Sequence, residues 1–110
     1  MLETKLSADM LAHIQQVQAI HGIIETVELG QVFATSTVVS LLGEDQILKL
    51  LQRHIHKDWG DLEETDWYQN ELSLLMGNRI VSSYHINNEK IFIITEANRS
   101  YTTIMMAYEY

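Results

Sequence analysis

Ile80-Val81-Ser82-Ser83-Tyr84-His85-Ile86 is the stretch on which the fold turns. Its side chains alternate. Ile80, Ser82, Tyr84 and Ile86 share one face of an extended strand, and Val81, Ser83 and His85 share the other. Asn87-Asn88 follows as a turn signal, and Lys90 to Thr95 reads as a second strand. Ala97-Asn98-Arg99-Ser100 turns again, into a third strand from Tyr101 to Ala107. Connections of hairpin length predict an antiparallel meander.

Upstream of Gly77 the period is helical. Thr65 or Asp66 opens a helix with Tyr68, Leu72, Leu75 and Met76 on one stripe, and Gly77 ends it. A helix from Asp45 to His56 carries Ile47, Leu48, Leu51 and Ile55, with Lys49, Gln52, Arg53 and His56 opposite. A shorter helix, capped by Thr35 or Ser36, runs through Val38, Val39, Leu41 and Leu42 to Gly43. Gln31 to Ala34 reads as a short strand, with a second one expected over Ile23 to Val27. The first helix, about residues 7–21, is capped by Ser7 and carries Met10, Ile14 and Val17; it docks on the domain or on a second copy. The expected fold is a single α+β domain over 1–110: helices on one face of a C-terminal antiparallel meander, plus an appended N-terminal helix.

A length of 110 residues supports one modest core. Cysteine is absent, which excludes disulfides, thiolate metal sites and cysteine nucleophiles. No apolar run reaches the roughly 18 residues of a membrane span, and no secretory signal is read at the start, so a cytoplasmic location is expected. Fifteen acids against seven bases leave a net charge of −8. Direct nucleic-acid binding draws on clustered Lys and Arg and is not expected here. An acidic surface steers instead toward basic ones, including the nucleic-acid-binding faces of other proteins.

Two groups of residues compete for function. Within 57–71, six acids face a single Lys, with Trp59, Trp67 and Tyr68 interleaved. Asp58, Trp59, Asp61, Glu63 and Glu64 are the expected partner-binding residues: carboxylates to steer and Trp59 as an exposed anchor. The competing group is catalytic: His54 and Asp58 at i, i+4 spacing, joined by Glu96 and Arg99 as the site of a small hydrolase or nuclease. The conservative reading pairs His54 and Arg53 with carboxylates, lets Arg79, Glu96 and Arg99 pin the hairpin by ion pairs, and makes Ser82, Ser83, Thr102 and Thr103 a hydroxyl ladder. His54 and His56 point about 200° apart on a helix, so they do not share a metal. No P-loop, dinucleotide fingerprint, EF-hand loop or nucleophile elbow is present, and neither metal nor cofactor is expected.

Arg53-His54, Asp58-Trp59-Gly60, Asp66, Asn70-Glu71, Gly77, Arg79-Ile80, Ser82-Ser83-Tyr84, Ile93 to Ser100, Thr102-Thr103 and Glu109-Tyr110 together resemble a family of small plasmid and mobile-element proteins. Its members are labelled "plasmid-related protein" or, by automatic transfer, "type I restriction endonuclease subunit M". The resemblance covers about residues 29–110. The family typically has Asp where this chain has Asn98, and a Pro near Ala107. A chain this short, without proline, is not a DNA methyltransferase. The resemblance implies a mobile-element setting, in which small acidic proteins interfere with restriction or CRISPR defence. The expected function is therefore binding to a host protein with a basic nucleic-acid-handling surface, as an anti-restriction or anti-CRISPR inhibitor, and the first helix suggests a homodimer.

Overall fold

In the computed structural model, which describes residues 6–110, the alternating stretch is the strand β2 (Ile80–Ile86). Asn87 and Asn88 both take positive φ, 53° and 66°, as a two-residue hairpin turn requires, and return the chain as β3 (Glu89–Thr95). A turn through Arg99 at φ 57° leads to β4 (Tyr101–Met106), which ends one residue before the expected Ala107; Ala107–Glu109 forms a 3-10 turn. β2 pairs β3 and β3 pairs β4, both antiparallel.

The sheet extends beyond the meander. The short strand β1 (Gln31–Ala34) lies parallel to β4, so the order is β1-β4-β3-β2 and the sheet is mixed rather than purely antiparallel. Between β1 and the meander the chain passes through α2 (Ser36–Leu42), α3 (Glu44–Ile55) and α4 (Glu64–Met76). A connection that long lets β1 run the same way as its neighbour, which no hairpin permits. Gly30 at φ 63° brings the chain alongside: a Cβ there would collide with the carbonyls of Arg99 and Ser100, and Gln31 N–H donates to Ser100 C=O at 3.0 Å.

Side chains of α2 and α3 fill the inner face of the sheet. Val38, Ile47, Leu50 and Leu51 pack with Tyr84, Ile91, Ile93, Ile104 and Met106 in one cluster. Across the sheet Tyr84 faces Ile91 and Ile91 faces Met106, as the alternation predicts. Thr35 caps α2 by accepting Val38 N–H, and Ser7 caps α1 (Ala8–His21) by accepting Met10 N–H.

Two expectations fail locally. Ile23 to Val27 forms no strand; Val27 N–H instead donates to the carbonyl of Ile55 at 2.9 Å, closing the end of α3, while Val27 packs with Trp59, Leu74 and Ile80. On α4, the buried residues are Asn70 and Leu74 rather than the stripe through Tyr68 and Met76. The reason is that α4 lies between two neighbours. Asn70 meets the margin of β2, while Tyr68 hydrogen-bonds His13 on α1, and Met76 is exposed. The appended helix α1 thus docks within its own chain through Ile14 and His13.

Candidate functional site

The corner after α3 is built by Asp58. Its carboxylate takes Arg53 bidentately, 2.7 Å from Nε and 3.3 Å from the second nitrogen, and accepts Gly60 N–H at 3.1 Å. That contact holds the Arg53 guanidinium above its usual value, with Asp58 the largest cause. The Asp58 carbonyl accepts the Tyr84 hydroxyl at 2.7 Å, and Arg53 lies over the Tyr84 ring, 4.7 Å from its centre. Burial pushes the Tyr84 phenol well above its ordinary value. Asp58 is therefore spent on the fold.

Trp59 is not the exposed anchor that its acidic neighbours suggested. It is 0 % exposed, edge-on to His54, and its indole N–H points to Glu71 Oε1 at 3.4 Å. Gly60 turns the chain back against β2, and the bridge it makes there carries the Trp59 side chain inward. Burial raises the Glu71 carboxyl above the usual carboxylate range, with Lys57 and the indole opposing.

His54 pairs with hydroxyls and not with a carboxylate. Nδ1 lies 2.5 Å from Ser82 Oγ and Nε2 lies 2.8 Å from Thr95 Oγ1. Thr95 Oγ1 is 2.8 Å from Thr102 Oγ1, which is 2.8 Å from the Leu29 carbonyl. A carbonyl only accepts, so the direction of the whole chain follows from that end. Thr102 donates to Leu29, Thr95 donates to Thr102, and His54 donates to Thr95 through Nε2–H. Nδ1 then accepts the Ser82 hydroxyl, and the imidazole is neutral. Burial, with Arg99 adding to it, lowers the His54 pKa from 6.5 to about 4. The hydroxyl ladder expected from Ser82, Ser83, Thr102 and Thr103 is replaced by this chain; Ser83 Oγ is buried without a partner among the described residues, and Thr103 faces the other side of the sheet.

The other members of the catalytic group are equally committed. Arg99 donates to the carbonyls of Ser73, Asn78 and Glu96, closing the end of α4 against the β3–β4 turn. Desolvation lowers its pKa, with Glu28 opposing. Of the ion pairs expected among Arg79, Glu96 and Arg99, Glu96 forms the one with Arg79, at 3.6 Å, while Arg99 bonds backbone carbonyls instead. A cleft of about 460 Å³ between the 23–28 segment and α4 takes in Arg99 alone of the four, and one of about 320 Å³ takes in Glu96 alone. His54, Asp58, Glu96 and Arg99 do not share either. Among the described residues no three of His, Asp and Glu converge as metal ligands. Asn98 Oδ1 accepts both Ser100 N–H and its hydroxyl, a turn contact that uses a neutral oxygen.

What stays outside is acid. Asp61, Glu63, Glu64 and Asp66 are all exposed around the start of α4, with Asp61 bridged to His85 at 2.8 Å and Glu64 accepting Ser7 N–H. Of the seven Lys and Arg, Arg53, Lys57, Arg79 and Arg99 are engaged internally, Lys57 on the Ile24 carbonyl. A second surface escaped the sequence reading: Val32 and Phe33 on β1 are 43 % and 51 % exposed, beside exposed Tyr101. The signal for it was the run 29–43, which holds no charged residue in a chain that is 20 % charged.

No family model, no curated protein and no solved structure matches the chain.

Proposed function

We propose that this chain works by protein–protein binding, presenting Asp61, Glu63 and Glu64 to a partner whose basic surface handles nucleic acid. The observation that carries the reading is the asymmetry of charge use. Each arginine is paired within the chain, on Asp58, Glu96 or backbone carbonyls, although Arg53 and Arg79 stay nearly half exposed. The exposed carboxylates of Glu63, Glu64 and Asp66 at the start of α4, by contrast, have no Lys or Arg partner among the described residues. Such a face attracts Lys and Arg on a partner and raises its association rate. Trp59 and Asp58 belong to the support of this face rather than to its contact area. With the resemblance to mobile-element proteins, the fitting target is a restriction or CRISPR enzyme of the host, met in the cytoplasm and inhibited where its nucleic acid would bind. The hydrolase alternative has less support, because His54 is sealed inside the core and neither cleft gathers His54, Asp58, Glu96 and Arg99 together.

The test is retention of host proteins by the tagged chain, against a variant that combines Glu63→Lys with Glu64→Gln. The second change keeps a side-chain oxygen that can accept Ser7 N–H, so α1 retains its start. The reading expects a basic nucleic-acid-handling protein that is held by the wild type, displaced by DNA and released as salt rises, and lost by the variant. Equal retention by both proteins sinks it.

A further inference from the structure

We propose that β1 is a pairing edge for a second copy of this chain, joining two four-stranded sheets antiparallel across a two-fold axis. Gln31 N–H donates to Ser100 C=O and Thr35 N–H to Ile104 C=O, so the odd positions of β1 bond β4. Alternation turns the N–H and C=O groups of Val32 and Ala34 outward, and they find no partner among the described residues. Pairing centred on Phe33 sets Val32 of one copy opposite Ala34 of the other. Each such pair exchanges two hydrogen bonds, and the symmetry makes two pairs.

Proteins that keep a sheet edge free protect it with charge, proline, a bulge or a very short strand. This edge is short, at four residues, but carries none of the other three. Its register with β4 is unbroken, and its four residues are Gln, Val, Phe and Ala. Side chains extend the bare surface: Val32 and Phe33 from β1, Tyr101 from β4, and Val39 and Leu41 from α2 are all exposed.

Charge selects the occupant. Two copies at −8 each repel wherever their acids meet. The run 29–43 is free of charge, so like-charged copies approach there without bringing carboxylates together. A basic segment would find no carboxylate on β1 itself. Glu109, near the end of the strand, is turned onto the Thr35 hydroxyl and Met106 N–H.

Light scattering and amide exchange on the full chain decide the matter. The proposal expects a mass of twice 12.7 kDa at about 100 μM, well above the micromolar Kd of a modest interface. It expects slowed exchange at the Val32 and Ala34 amides as concentration rises. Val32→Lys should give a monomer with a cooperative melt, while Ile20→Lys, on the exposed end of α1, should stay dimeric. Should Val32→Lys fail to fold, wild-type exchange at those two amides decides alone. A monomer at that concentration, a dimer dissolved by Ile20→Lys but not by Val32→Lys, or amides at 32 and 34 that exchange equally fast at every concentration overturns the proposal.

Discussion

The two margins of the sheet are treated in opposite ways. Along β2, the outward groups of Val81 and Ser83 are all satisfied. Asn70 on α4 accepts Val81 N–H at 3.2 Å and donates to its carbonyl at 2.7 Å. Ser83 N–H donates to Trp59 C=O, and its carbonyl takes Asp61 N–H at 2.7 Å. Along β1 the equivalent groups meet nothing described. One side amide and one two-residue bridge through Gly60 thus cover Val81 and Ser83 as a fifth strand would. Only the His85 backbone, at the end of β2, is left without a described partner. The charged corner, the most chemically suggestive stretch of the chain, closes one edge, while a neutral stretch leaves the other open.

Gly60 bears the closure most directly. Its φ is 78°, and a Cβ there would run into the Ser83 carbonyl and lie 2.7 Å from Tyr84 Cδ1, both inside the core. Neither neighbour has room to yield, since Tyr84 is fully buried. Gly60→Ala should cost about 4 kcal/mol, combining backbone strain with overpacking. Gly30→Ala offers the counterpart at the open margin. It too meets backbone carbonyls, but at the solvent-facing margin of the sheet rather than against a buried ring, so a smaller loss of about 2 kcal/mol is expected, with the meander intact. Urea unfolding of both variants measures the difference. Equal losses would mean that the two margins contribute alike.

The hydroxyl chain through His54 links the two sides, running from Ser82 on β2 through Thr95 and Thr102 to the Leu29 carbonyl just before β1. Its pH dependence has a definite sign. An unfolded chain takes up a proton at His54 below pH 6.5, which the folded chain refuses until about pH 4. Stability therefore falls as pH drops through that window and levels off beneath it, by about 3 kcal/mol in total. His54→Asn should be less stable at neutral pH but should lose less between pH 6.5 and 4, since carboxylate contributions are common to both proteins. Parallel losses in unfolding free energy across that window would show that His54 does not stay neutral in the fold.

Much of the architecture was legible because periodicity reports burial. The switch from helical spacing to alternation at Ile80, the Asn87-Asn88 turn and the glycine stops all appear where the residues put them. The parallel partnership of β1 was not legible, because four residues of strand carry no information about which neighbour they will meet. Asn70 was hidden for a related reason. A polar residue on a helix reads as solvent-facing unless a bare strand margin happens to lie beside it. The corner misled through Trp59: acids on both sides imply exposure, yet Gly60 reverses the chain and drives the indole under α4. For His54 a carboxylate partner was expected; the hydroxyls it meets instead, 28 and 41 residues away, are invisible to local spacing.

Asn70 and Val32 supply the mildest and most direct comparison. Asn70→Leu keeps the approximate volume of the side chain while leaving Val81 N–H and C=O without partners at a half-buried site. Stranding two backbone groups should cost about 2 kcal/mol. It also exposes a second pairing edge, so a concentration-dependent rise in particle size should accompany the loss. Val32→Thr alters the open margin without touching a hydrogen bond, because the outward groups there are on the backbone. Its cost in chemical unfolding at low micromolar concentration should stay within about 0.5 kcal/mol, the range of ordinary surface substitutions. If Asn70→Leu proves as mild as Val32→Thr, the side amide is not what closes β2. The short bridge through Gly60 would then have to seal that margin by itself.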